Sequence, residues 1–189
     1  AAAHREKERS TAGVQMVTES FRKGGRVIFV GAGTSGRLGV VEAAEMPPTF
    51  GVSSTRVRAI MAGGKDAVFQ PKEGVEDDYE EGARAIARLR PQKRDIVIGI
   101  SASGVTQFVR GALTRARKAG LRIIFVTCWP GSELQNFVDL IIAPAVARSL
   151  CSRRSSSGGR PATSWISIGA SSGPFFSSAR IRRATGAKS

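Results

Sequence analysis

Two short stretches carry the residue types that hold an anion. Residues 31–36 read Gly-Ala-Gly-Thr-Ser-Gly, and residues 101–106 read Ser-Ala-Ser-Gly-Val-Thr. Each follows a short apolar run and precedes a stretch of helical periodicity. Glycine lets backbone N–H groups approach a phosphate, hydroxyls add donors, and a helix starting there turns its positive end on the same point. Gly33, Thr34, Ser35 and Gly36 are the candidate ligand residues of the first stretch, and Ser101, Ser103, Gly104 and Thr106 those of the second. Either stretch alone reads equally well as a helix cap with a tight turn. Two on one sheet edge point to a shared ligand, because open α/β sheets bind ligands beyond the carboxyl ends of their strands.

The first stretch satisfies G-x-G-x-x-G, a weak signal by itself. A dinucleotide fold needs an acidic residue at the end of the second strand for the ribose hydroxyls. Residues 57–62 contain none, although Arg56 and Arg58 at the start of that strand suit a 2′-phosphate. No lysine of Walker type follows the loop, which disfavours a nucleoside triphosphatase. Glu42 and Glu45 lie in the helix after the first stretch, and Met46-Pro47-Pro48 is expected to end that helix at Glu45. Glu73, Glu76, Asp77 and Asp78 cluster further on, and the two aspartates suit the start of a helix. Cys128 and Cys151 have neither metal nor redox spacing, and His4 is the single histidine. These counts predict no metal and a reducing cytoplasm.

Five apolar, β-branched runs position these groups: residues 26–30, 57–62, 95–100, 122–127 and 138–143. Helical periodicity marks residues 1–23 through Val14, Val17 and Phe21, and residues 78–90 through Ala83, Ile86, Ala87 and Leu89. Residues 104–119 place Phe108, Val109, Ala112, Leu113 and Ala116 on one side. Strands alternating with helices predict an α/β fold, a three-layer, doubly wound, flavodoxin-like sheet of about five parallel strands. The expected organisation is an N-terminal helix over 1–24, a ligand-binding domain over 25–145 and a basic tail over 146–189. That tail holds seven Arg, one Lys and no acid, so it carries eight of the fourteen net positive charges. The charge therefore says little about the folded part, and nucleic acid is an unlikely partner. No apolar run approaches the ~20 residues that span a bilayer, and residues 1–10 lack a signal-peptide core.

Residues 25–51, GRVIFVGAGTSGRLGVVEAAEMPPTFG, resemble the N-terminal signature of the N-acetylmuramic acid 6-phosphate etherases. These belong to the sugar isomerase (SIS) superfamily, together with the glucokinase regulatory protein. The resemblance continues through IMAGG (60–64), EGVED (73–77), DIVIGISASGVTQF (95–108), TCWPGS (127–132) and DLIIAP (139–144). It implies cofactor-free cleavage of a lactyl ether from a phosphorylated amino sugar, in a cytoplasmic homodimer. By the same resemblance Glu45 protonates the departing lactate oxygen, and Glu76 removes the proton next to the open-chain aldehyde. The phosphate or sugar then lies against Thr34, Ser35, Ser101, Ser103 and Thr106.

Three departures stand out. Met46 replaces a common cysteine, and Val105 stands where arginine is frequent. After Pro144 the resemblance calls for a GSTRxKAGT-type segment and further helices. Residues 146–189 instead have the composition of an unselected reading frame, as a frameshift near Val146 would produce. Two other readings use the same cradle: a non-catalytic sugar-phosphate sensor, and an aldose–ketose phosphate isomerase, which needs the proton abstraction without a leaving group.

Overall fold

The computed structural model describes residues 2–129 and 131–144; the basic stretch 146–189 lies outside the described residues. Five parallel strands form one sheet: β1 (Val27–Gly31), β2 (Val57–Met61), β3 (Ile96–Ile100), β4 (Arg122–Val126) and β5 (Leu140–Ile142), in the order β2-β1-β3-β4-β5. The helices are α1 (Ala2–Arg22), α2 (Gly33–Phe50), α3 (Asp66–Phe69), α4 (Tyr79–Arg88) and α5 (Gln107–Lys118), with a 3₁₀ turn over Glu133–Asn136. Alternate side chains of each strand serve opposite layers. Ile28, Val30, Val97, Ile123 and Phe125 join Ile86, Phe108 and Leu113 of α4 and α5 in one core. Val27, Ile96 and Ile124 meet Met16, Val17 and Phe21 of α1 in the other. This is the expected doubly wound α/β sheet.

Glycine sets the closeness of two helix contacts. A Cβ at Gly39 of α2 would come within 2.8 Å of Phe29 Cβ, so α2 rests directly on β1. Where α4 crosses α5, a Cβ at Gly82 would lie 2.0 Å from the Phe108 carbonyl oxygen, and one at Gly111 would lie 1.9 Å from that of Tyr79. The two backbones touch. The chain leading into α4 is thereby drawn against the start of α5.

Several local expectations are corrected. The double proline does not end α2 at Glu45: the helix runs through Pro47 and Pro48 to Phe50. A proline φ near −65° is itself helical, and the helix closes at Gly51, whose φ of 64° lets its N–H reach the Pro47 carbonyl at 2.9 Å. Val14 does not join the core face of α1 and is exposed. Gly13 instead lies against Leu140 and Ile142, which turns Met16, Val17 and Phe21 inward. On α4 the buried face is Gly82, Ala85 and Ile86 rather than Ala83 and Ala87.

The edge of the sheet opposite the candidate loops is pinned by charge. Asp95, 2% exposed, accepts from the backbone N–H of Arg26 (2.8 Å) and of Gln92 (2.9 Å) and pairs with the Arg26 guanidinium at 2.7 Å. Asp139 repeats the device two strands away, before β5, accepting from Ile123 N at 2.7 Å and pairing with Arg117 at 3.0 Å. Arg56 donates to the carbonyls of Gly25 (2.8 Å) and Phe21 (2.7 Å), so it holds the chain before β1 rather than a cofactor phosphate. None of the described helices is long and apolar enough to cross a membrane.

Candidate functional site

In the order β2-β1-β3-β4-β5 the chain leaves β1 towards one side and β3 towards the other. Gly31 and Ile100 are paired residues at the ends of these adjacent strands, so the two glycine- and serine-rich loops begin side by side. This is the topological switch point, where an open α/β sheet has its natural crevice.

The first loop runs straight into α2. Its N-cap residue, Ala32, offers no side-chain cap, and the first turn holds no acid. The positive end of an 18-residue helix is therefore left for an external anion. Gly33 (φ 53°), Thr34 and Ser35 lie on this turn, the first two exposed. Gly36 differs from the expectation: it is buried, its N–H bonds to Ala32 O at 3.1 Å, and a Cβ there would meet Met61 Cγ at 2.8 Å. Gly36 thus serves packing beneath the loop.

In the second loop Ser101 is buried, its Oγ 2.8 Å from Thr106 Oγ1 and accepting from Gly104 N at 3.2 Å. These two hydroxyls brace the loop in this conformation, whereas Ser103 is exposed. Gly104 takes φ 75°, a left-handed turn that glycine adopts without strain. The first turn of α5 again has no acid, and Thr106 makes no side-chain cap bond. Sequence reasoning missed the support of this loop. Thr127 Oγ1 and Cys128 N both donate to Ala102 O (3.3 and 3.1 Å), and Ser132 Oγ donates to Gly104 O at 3.3 Å. The hydroxyls of TCWPGS after β4 were the available signal. Trp129 is half-exposed beside them.

A cavity of about 280 Å³ opens beside the first loop, lined by Gly33, Arg37, Lys72, Glu73 and Glu76 among others. Glu76 lies between the first loop and the start of α5. It is exposed and lines this cavity, and its backbone carbonyl accepts from Phe108 N, in the first turn of α5, at 2.9 Å. Arg37 points its guanidinium at backbone: Nε donates to Val68 O at 2.7 Å and Nη2 to Ala67 O at 2.9 Å. It fixes the short helix α3 against α2. Asp78 caps α4 by accepting from Glu81 N at 2.7 Å, in line with the helix-start reading. Glu45 is placed elsewhere. It is exposed on α2, twelve residues beyond Gly33, or roughly 18 Å at the helical rise. Within one chain the two candidate carboxylates are not brought together. Among the described residues no group of His, Cys, Asp and Glu could hold a metal ion.

Residues 10–117 match the family model of the glucokinase regulatory protein N-terminal SIS domain. The chain belongs to this SIS family. Curated relatives include the N-acetylmuramic acid 6-phosphate etherases of Rubrobacter xylanophilus, 44% identical over 146 residues, and Salinibacter ruber, 50% identical over 134 residues. These alignments cover 75% and 70% of this chain but 48% and 43% of the relatives, so the chain spans about half their length. Among solved structures the SIS domain is similar to the phosphoheptose isomerase GmhA of Neisseria gonorrhoeae (TM-score 0.58, 18% identity, covering 78% of this chain and 80% of that one). It is also similar to a phosphoheptose isomerase of Francisella tularensis (TM-score 0.56, 21% identity, covering 79% and 82%). At that identity the likeness speaks for the fold.

Proposed function

We propose that this SIS domain binds a sugar phosphate and belongs to an N-acetylmuramic acid 6-phosphate etherase. The reaction is elimination of the lactyl ether followed by addition of water, giving N-acetylglucosamine 6-phosphate and lactate. One observation carries the reading: two acid-free helix starts without side-chain caps follow adjacent strands at the switch point, and the Glu76 carbonyl takes one N–H of the second. The ligand's phosphate lies against the first turns of α2 and α5, with donors from Gly33, Thr34, Ser35 and Ser103. Its open-chain aldehyde acidifies the proton on the second carbon. Glu76, as carboxylate, takes that proton; the second and third carbons become doubly bonded, and the bond from the third carbon to the lactate oxygen breaks. Glu45, as carboxylic acid, supplies the proton that lets lactate leave as an alcohol. Water then adds its hydroxyl to the third carbon and a proton to the second. Proton transfers suffice, and a phosphorylated sugar places the reaction in the cytoplasm.

Glu45 reaches the site in a homodimer. Leu38 and Val41 of α2 are exposed (54% and 55%) and share a helical stripe with Glu45 at i, i+3, i+7. A two-fold contact uses one patch on both copies. Two α2 helices packed antiparallel about Val41 bring Glu45 of one copy beside Arg37 of the other, at the mouth of the cavity. In a monomer only Glu76 stands there, which favours sugar-phosphate sensing without cleavage as the second reading. Lactate release from N-acetylmuramic acid 6-phosphate by the purified protein tests the proposal. Binding without release supports the sensor, and neither binding nor release removes both.

A further inference from the structure

The cavity beside the first loop holds two cations that the phosphate cradle does not use. Arg37 is locked: two of its N–H groups are held by the Val68 and Ala67 carbonyls, making it a fixed positive wall. Lys72 is held far more loosely. Its stem lies over Gly63, where a Cβ would sit 3.3 Å from Lys72 Cδ; glycine there leaves room for it. Its Nζ touches Gly63 O and the Asp66 carboxylate, both at 3.2 Å. Asp66 is 82% exposed and Lys72 41%, so this ion pair is open to water and weakly held. A compact ammonium on a flexible stem exchanges such a partner readily for a ligand anion.

Resting on the reading above, we infer that Lys72 and the fixed Arg37 wall form a second anion subsite, which takes the carboxylate of the ligand's lactyl group. The substrate carries two anions, and the structure offers two separate positive features. One is the pair of helix starts, which suits a phosphate's several acceptors; the other is a mobile ammonium in a small cavity. Glu76 lines the same cavity, so a carboxylate on Lys72 holds the ether-bearing carbons within the reach of that base. Lys72 also neutralises the ligand carboxylate that would otherwise repel Glu73 and Glu76. A sugar phosphate without the lactyl group has no use for the subsite. Lys72 therefore sorts ligands by their carboxylate.

The test is equilibrium binding by calorimetry in a Glu76→Gln background, where the ligand is not consumed. N-Acetylmuramic acid 6-phosphate and N-acetylglucosamine 6-phosphate are compared with and without Lys72→Met. Expected is a loss of about tenfold for the first ligand, within the range of a charge-assisted hydrogen bond, and less than twofold for the second. Lys72→Arg should restore most of the lost affinity, which a merely structural effect of removing lysine would not produce. Equal weakening for both ligands, or none for either, overturns the subsite while leaving the sugar-phosphate reading in place. Failure of both ligands to bind even with Lys72 present overturns the two together.

Discussion

Glu76→Gln is expected to lower lactate release from N-acetylmuramic acid 6-phosphate by about 10²- to 10⁴-fold, the usual contribution of a positioned general base. Glutamine keeps the volume and the hydrogen-bonding shape but cannot accept a proton from carbon. The backbone carbonyl that receives Phe108 N is untouched by the change, so the start of α5 stays where it is. Binding of a sugar phosphate should persist within a few-fold, because the donors of the two loops are unaltered. The loss should therefore fall on kcat rather than KM. A variant that keeps more than a tenth of the activity would show that another group removes the proton. Steady-state lactate assays on the two proteins, with circular dichroism to confirm folding, decide this.

Asp95→Ala is expected to cost about 3 kcal/mol of folding stability near neutral pH, the lower end for breaking a buried ion pair. The lower end applies because the Arg26 side chain is a quarter exposed and can recover solvent. The loss comes from leaving two backbone N–H groups, of Arg26 and Gln92, and the inner face of a guanidinium without their acceptor. Burial pushes the Asp95 carboxyl up. The hydrogen bonds from the Arg26 side chain and from the backbone of Gln92 and Arg26 outweigh it and hold the group below its ordinary value of 3.8. A carboxyl lowered in the folded state stabilises fully above its unfolded value and loses that contribution as pH falls through the folded value. The gap between the native protein and Asp95→Ala should thus be constant from neutral pH down to about 5 and shrink below about 4. Urea unfolding at several pH values measures it. A gap that widens with acid would contradict the assignment.

The layout of the fold was legible because it rests on local pattern. Fully buried parallel strands read as unbroken apolar runs, and the Phe108, Val109, Ala112, Leu113 and Ala116 stripe of α5 is buried throughout. Faces set by close backbone approach were not legible. On α4 the crossing at Gly82 and Gly111 turned the buried face away from the larger alanine-rich set, and Gly13 did the same on α1. A glycine in a helix looks like a weakness in sequence, yet here it marks the contact. The two loops and their place at one end of the sheet were readable from their residue types. Which hydroxyls face out and which brace the turn was not, since the Ser101–Thr106 bond and the support from Thr127 and Ser132 depend on neighbouring strands. Proline misled at Glu45, because two prolines in a last turn are compatible with helical φ. The role of Arg37 depended on carbonyls about thirty residues away, which no spacing rule reveals.

We propose above all that a ligand phosphate sits where α2 and α5 begin. The most direct measurement is an amide ¹H–¹⁵N NMR titration with N-acetylglucosamine 6-phosphate, with unphosphorylated N-acetylglucosamine as the control. Saturable shifts are expected, largest at Gly33, Thr34, Ser35, Ser103 and Thr106 and dependent on the phosphate. Shifts that are equal for the two sugars, or that fall away from both helix starts, would contradict it.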